Sequence, residues 1–231
     1  MDKNLGKYPF DDAPSKGLRI FLLIFAVFYF VAAPIAMAFI IPINADIHTL
    51  FLYNFWWTAI GAIIAAAASM RHLRRSFDRF LDRLLPCLFT ILVAYFAANI
   101  LDILAALIIQ ATGYLNNGNQ EIIETFFDDS YGMMAASTIF LAPIVEELCF
   151  RGAIFGALRP KHKAAAYIVS ILLFVLLHVW QNAILDPREL IAAIGYIPAS
   201  LALCWSYDRT GTIWTPIFLH MFMNFVSFQF M

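Results

Sequence analysis

The chain has 231 residues, of which 62% are hydrophobic and 13% charged, whereas soluble domains are roughly half apolar and a quarter charged. This composition excludes an ordinary soluble protein. The apolar runs along the whole sequence predict an all-α, polytopic transmembrane helical bundle that forms a single domain over residues 1–231. The net charge of −1 gives no reason to expect a nucleic-acid partner.

Seven apolar runs are long enough to be drawn as membrane-spanning helices. Their approximate limits are 19–41, 50–70, 86–109, 131–158, 164–185, 190–207 and 214–231.

Basic residues orient these spans. Of the 15 Lys and Arg residues, 13 lie before span one, between spans two and three, after span four or after span six, all on the same side of the membrane. Because Lys and Arg concentrate in cytoplasmic segments, the N-terminus is predicted to be cytoplasmic and the C-terminus external. The loop 110–130, which has no Lys or Arg, is then external. We expect the lipid environment to be a bacterial inner membrane.

The segment 71–85 mixes Arg and Asp with apolar residues at helical spacing. This pattern predicts an amphipathic helix that lies along the inner leaflet between spans two and three.

Span four carries the most informative residues. Glu146, Glu147 and Arg151 occupy a run that is otherwise apolar enough to cross a membrane, where an ionised side chain at the helix centre costs about 2.5–3.5 kcal/mol. Glu147 and Arg151 are four residues apart and can pair on one helix face. Glu146 points about 100° away from that face. We therefore expect Glu147 and Arg151 to form a supporting ion pair, while Glu146 faces an internal cavity as a candidate base.

Two later spans carry further polar residues at four-residue spacing: Phe174 and His178 in span five, and His220 and Asn224 in span seven. Taken alone, each pair favours a structural role, because a single His in an apolar helix is more often a packing residue and an Asn most often binds a neighbouring helix. At about 1.5 Å per residue, Glu146 and these polar residues lie roughly 9–21 Å from the predicted cytoplasmic ends of their spans. A carboxylate, two imidazoles and an amide at similar depth are the groups needed to activate water and stabilise an oxyanion.

Other intramembrane candidates point to structural roles. The three cysteines have neither disulfide nor zinc-finger spacing, and Cys149 is best interpreted as a small packing residue. Asp102 in span three is favoured as a packing residue, and support of the polar residues in spans four, five and seven is its alternative role.

The motifs Glu-Glu-x-x-x-Arg at 146–151, Phe-x-x-x-His at 174–178 and His-x-x-x-Asn at 220–224 occur in this order on separate spans. Together they resemble the CPBP family of CAAX-processing proteases and bacteriocin-processing or immunity-like membrane proteins, also called Abi. The resemblance covers the chain from about residue 131 onward.

The resemblance implies an intramembrane endopeptidase that hydrolyses peptide or protein substrates at the membrane, CAAX-like proteins among them. By this analogy Glu146 activates water with help from His178, and His220 and Asn224 stabilise the oxyanion. Glu147, Arg151 and Phe174 support them.

A metal is left open. Glu146, His178 and His220 have the right donor types for a three-ligand zinc site, although a metal-free glutamate mechanism uses the same residues and is slightly favoured. Two other classes of function are also left open. One is a non-catalytic immunity or scaffold protein of the same fold, and the other is a proton-coupled transporter that uses the carboxylates as a relay.

Overall fold

The computed structural model describes residues 10, 12–42, 44–127 and 130–230. Within these ranges the chain forms eight helices and no strand. They are α1 (Lys16–Ile40), α2 (Ile47–Asp82), α3 (Leu84–Thr112), α4 (Gly118–Phe127), α5 (Tyr131–Leu158), α6 (Lys163–Leu185), α7 (Glu189–Thr210) and α8 (Trp214–Phe228). Helices α1–α3 and α5–α7 are long and apolar enough to cross a membrane. The predicted helical membrane bundle is confirmed.

Local sequence signals explain several helix boundaries. Asp46 caps α2, because its Oδ1 accepts a hydrogen bond from the backbone N–H of Thr49 at 2.7 Å. Gly113 ends α3 and Gly211 ends α7, both with positive φ angles of 73° and 62°, a conformation that only glycine adopts without strain.

Two helices contain π-helical turns at residues Phe28–Ala32 of α1 and Ala136–Leu141 of α5. Each of these turns comes just before a proline, Pro34 or Pro143. Proline has no N–H to donate within a helix, and a locally wider turn accommodates the carbonyl left without that donor. A third π-helical segment, Leu148–Phe155, follows Glu147 in α5 and contains Arg151.

Two expectations for the helices need correction. The segment 71–85 is not a separate interfacial helix, because α2 continues without a break from residue 47 to residue 82, with neither Gly nor Pro after Gly61 to end it. The last predicted span, 214–231, is a helix of 15 residues. At about 1.5 Å per residue it is about 22 Å long, which is shorter than the hydrocarbon core of a bilayer.

The predicted external loop 110–130 includes the helix α4, and its Asp128 and Asp129 lie outside the described residues.

The bundle buries α5 more than any other spanning helix. Leu148, Cys149 and Phe155 have no exposed surface, and α5 packs against α1, α2, α6 and α8. By contrast α3 exposes large apolar side chains such as Phe96, 62% exposed, and Ile100, 64% exposed. In a membrane these surfaces face lipid, and the polar residues of α5 lie at the centre of the protein.

A polar cluster ties the N-terminal segment to this bundle. Asp12 is 2% exposed. Its carboxylate accepts hydrogen bonds from Arg79 Nη1 at 2.8 Å, Ser76 Oγ at 2.9 Å and the backbone N–H of Ile213 at 2.9 Å. Because Ile213 immediately precedes α8, this cluster fixes the start of the helix that carries His220 and Asn224.

Candidate active site

Three of the predicted catalytic side chains meet at one point. Oε2 of Glu146 lies 4.0 Å from Nε2 of His178 and 3.9 Å from Nε2 of His220. These separations are too long for direct hydrogen bonds but suit a single bridging water. The same Oε2 atom is buried and has no hydrogen-bond partner among the described residues. A buried carboxylate oxygen without a partner, facing two imidazole nitrogens, is a place where a polar ligand or water is expected to bind.

The other ring nitrogens fix the orientation of both histidines. His178 Nδ1 lies 2.8 Å from the carbonyl oxygen of Phe174, and His220 Nδ1 lies 2.9 Å from Oε1 of Glu147. Since a carbonyl and a carboxylate oxygen accept, the proton is assigned to Nδ1 in each ring. Both Nε2 atoms are therefore left to act toward Glu146.

The predicted ion pair is present and fully buried. Nη1 of Arg151 donates to Oε1 of Glu147 at 3.0 Å, and both side chains have no exposed surface. Nη2 of Arg151 also donates to Ser200, at 2.9 Å to Oγ and 3.1 Å to the carbonyl oxygen. Because Glu147 binds His220 as well, Arg151 holds the carboxylate that orients a candidate catalytic ring.

Phe174 packs among these groups. The Arg151 guanidinium lies 4.4 Å from the centre of the Phe174 ring. The rings of His178 and His220 lie 4.5 Å and 5.8 Å from it. This aromatic ring therefore packs against both imidazoles and lies against the Arg151 guanidinium.

Asn224 lines the same cavity as Glu146, His178 and His220. Its Nδ2 donates to the carbonyl oxygen of Thr138 at 2.8 Å. This contact uses one of the two amide protons and holds the side chain in place, so that the second proton is available as a hydrogen-bond donor.

Three residues of this site were not predicted from the sequence: Thr138, Tyr196 and Ser200. The ring of Tyr196 lies 4.5 Å from that of His178, and its hydroxyl donates to Oδ1 of Asn117 at 2.9 Å. The four-residue spacing of Tyr196 and Ser200 places them on one face of α7. This spacing was the feature of the sequence from which their common position could have been predicted.

Two other predicted roles have different outcomes. Cys149 is buried, with its Sγ 3.9 Å from the carbonyl oxygen of Leu22, in agreement with a packing role. Asp102 lies on an exposed face of α3 and lines neither cavity that contains Glu146. The alternative role of Asp102, support of the site, is therefore wrong.

A zinc site at Glu146, His178 and His220 is the metal-dependent alternative for this cluster. Among the described residues, no group of three or more His, Cys, Asp or Glu side chains is arranged so that it could hold a metal ion. Oε2 of Glu146 lies 4.0 Å and 3.9 Å from Nε2 of His178 and of His220, and zinc at these three donors is the alternative that metal analysis of the protein tests.

Comparison with known sequences finds similarity in the part of the chain that carries these side chains. The family model described as "Type II CAAX prenyl endopeptidase Rce1-like" matches residues 129–226. This match contains every motif residue of α5, α6 and α8. Residues 129–226 of the chain are therefore similar to this family.

A similar protein is "Putative membrane peptidase YdiL" of Bacillus subtilis (strain 168), which is 39% identical over 93 residues, or 40% of this chain. The match covers 34% of that protein, so the chain spans about a third of the length of this curated relative. No solved structure matches the chain.

Proposed function

We propose that the protein is an intramembrane endopeptidase in which Glu146 activates the attacking water. The observation that carries this proposal is the buried, unpartnered Oε2 of Glu146, which faces Nε2 of His178 and Nε2 of His220 at 4.0 Å and 3.9 Å. A water bound between these three atoms is positioned to lose a proton to the carboxylate.

In the proposed first step, the water oxygen forms a bond to the carbonyl carbon of the peptide. One water proton moves to Oε2 of Glu146, and the carbonyl π electrons move onto the carbonyl oxygen. Nε2 of His178 accepts a hydrogen bond from the remaining water proton and keeps the attacking lone pair in place.

The oxyanion formed in this step needs hydrogen-bond donors. Asn224 has a free amide proton because its other one is used by Thr138. His220 supplies a second donor from Nε2 when its ring is protonated, and the Glu147 carboxylate on Nδ1 stabilises that cation. Such preorganised donors in a water-poor site stabilise developing charge far better than they would in bulk water.

In the second step the tetrahedral intermediate collapses. The carbon–nitrogen bond breaks, and the proton held by Glu146 is transferred to the leaving amine. The oxyanion electrons re-form the carbonyl, so that the products are a carboxylic acid and an amine. The acid then transfers its proton to the amine or to water and leaves as a carboxylate, and Glu146 returns to its starting state.

The direct test is cleavage by the purified full chain in detergent, with a library of fluorogenic peptides that includes farnesylated and non-farnesylated members of the same sequence. Glu146→Gln keeps the size of the side chain and removes its basicity. We expect its cleavage rate to fall by about 10²–10⁴-fold, the range for loss of a general base.

Glu121→Gln is the matched control, because the exchange is chemically the same on an exposed side chain of α4. It should cleave at the wild-type rate. Full activity of Glu146→Gln would refute the assigned role. A folded wild-type protein that cleaves no peptide would instead favour the non-catalytic scaffold. Metal analysis of the same active sample tests the zinc alternative, since a metal present in equal amount to the protein would contradict the mechanism above.

A further inference from the structure

Two cavities meet at Glu146. The first, here called the external cavity, has a volume of about 320 Å³ and runs from Glu146 past His220 and Asn224 to Gln120 and Ser227. The second, here called the lateral cavity, has a volume of about 230 Å³ and runs from Glu146 between α1, α2 and α6. Asn54, Thr58, Ala142, Glu146 and His178 line both. An extended peptide laid through the two cavities would pass directly over the Glu146 carboxylate.

The opposite end of the bundle, here called the closed end, is closed to both cavities that contain Glu146. Beyond the Glu147–Arg151 pair lies a layer of side chains with no exposed surface, formed by Leu148, Leu203, Ile213, Ile217 and Leu219. Phe10 of the N-terminal segment covers this layer, since the centre of its ring lies 4.9 Å from that of Tyr207 and 5.8 Å from that of Phe155. Within the described residues, neither cavity that contains Glu146 reaches this end.

Charge identifies which end is which. The closed end carries the basic segments, namely Lys16 and Arg19, the Arg-rich end of α2, Arg159 to Lys163, and Arg209. The end where the external cavity opens carries Asp46, Glu121, Glu124, Asp186 and Glu189, and Arg188 is its one basic residue within the described part. Because Lys and Arg mark the cytoplasmic side, the cavity opens away from the cytoplasm.

We infer that the site takes its substrate from the external side of the membrane. This inference rests on the endopeptidase function proposed above and names its substrate class. The substrate is an exported peptide segment that lies at the external surface of the same membrane and has an apolar part in the lipid.

The polar mouth of the external cavity, with Gln120, Asn224 and Ser227, suits a peptide backbone. The lateral cavity shares Phe30, Leu177 and Trp180 with an adjoining apolar groove. This groove has a volume of about 620 Å³ and suits the membrane-embedded part of the same substrate.

Cysteine labelling tests the orientation without any need for catalysis. The three native cysteines are buried, so that an introduced cysteine is expected to give the dominant signal. Ser227→Cys places a thiol at the rim of the external cavity, and Lys161→Cys places one at the closed end. With a membrane-impermeant maleimide on intact spheroplasts, we expect labelling of Ser227→Cys, whereas Lys161→Cys should react only after permeabilisation. The reverse pattern would overturn the inference.

Sided cleavage tests access. An impermeant fluorogenic peptide, chosen as a substrate in detergent, is added to sealed right-side-out vesicles that contain the full chain. We expect cleavage without permeabilisation, and a loss of more than about tenfold after a bulky maleimide modifies Ser227→Cys, because the adduct keeps the peptide from its reactive position. Cleavage in detergent but none in sealed vesicles until they are opened would overturn the inference and leave the endopeptidase proposal intact. Absence of cleavage in detergent would count against the endopeptidase proposal, while the labelling pattern would still report the orientation.

Discussion

Replacing Arg151 with methionine tests whether the buried ion pair holds the site together. Methionine approximates the length and volume of the arginine stem but leaves Glu147 as a buried carboxylate without its cation, and it removes both hydrogen bonds to Ser200. Removal of one partner from a buried pair costs about 3–5 kcal/mol, because the remaining charge is left uncompensated.

This cost predicts a large fall in thermal stability. A chain of this size loses about 2–4 °C of unfolding midpoint per kcal/mol, and the expected decrease is therefore roughly 6–20 °C for the purified protein in detergent. Arg188→Met is the matched control, because Arg188 forms its 2.8 Å ion pair with Asp186 on the surface, where the arginine is 71% exposed. Exposed pairs contribute about 0–1 kcal/mol, so the control should stay within a few degrees of wild type.

The double variant Glu147→Gln, Arg151→Met completes the test. It removes both charges, and the glutamine oxygen can still accept from His220, so we expect it to recover more than half of the stability lost in Arg151→Met. If Arg151→Met were no less stable than Arg188→Met, or if the double variant were no more stable than Arg151→Met, the reasoning about an uncompensated buried charge would be refuted.

Two further outcomes are expected. Asn224→Ala removes a proposed oxyanion donor and should lower kcat by about 10²–10³-fold with little change in KM. If both residues act in one step, kcat of the Asn224→Ala, Glu146→Gln double variant should equal kcat of Glu146→Gln alone. An unchanged kcat in Asn224→Ala would exclude this role. Asp46→Ala removes the cap of α2 and should lower the unfolding midpoint by a few degrees at pH 7. The Thr49 N–H holds the pKa of Asp46 below its ordinary value, so the cap is fully effective above the unfolded value of about 3.9 and is lost as the pH falls through the folded pKa. The difference between Asp46→Ala and wild type should disappear in that acidic range, and a difference that persists there would contradict an ionic cap.

The sequence predicted best those contacts that lie within one helix. Glu147 and Arg151 pair as expected because residues four apart on a helix are neighbours in any fold. The convergence of Glu146, His178 and His220 also followed from the sequence, because three spans with polar residues at comparable depth have few ways to bury them other than against one another.

Contacts between helices were less predictable. Thr138 binds Asn224 through its backbone carbonyl, and every residue has such a carbonyl, so the side-chain pattern gives no signal for it. Ser200 and Tyr196 reach the site because α7 packs beside α5 and α6. Which face of α7 is turned toward the site depends on how the whole bundle packs. The break expected before Arg71 failed because a change from apolar to charged residues does not end a helix when no Gly or Pro is present.

The hydrogen bond between Asp12 and the N–H of Ile213 joins residues 201 positions apart. Contacts of such high sequence separation form late, since most of the chain must be made before the partner exists. His220 and Asn224 lie in α8, which begins just after Ile213, and they are therefore absent while the first seven helices are being inserted. A nascent chain that already holds Glu146 in the membrane therefore lacks these two polar side chains until α8 has been synthesised.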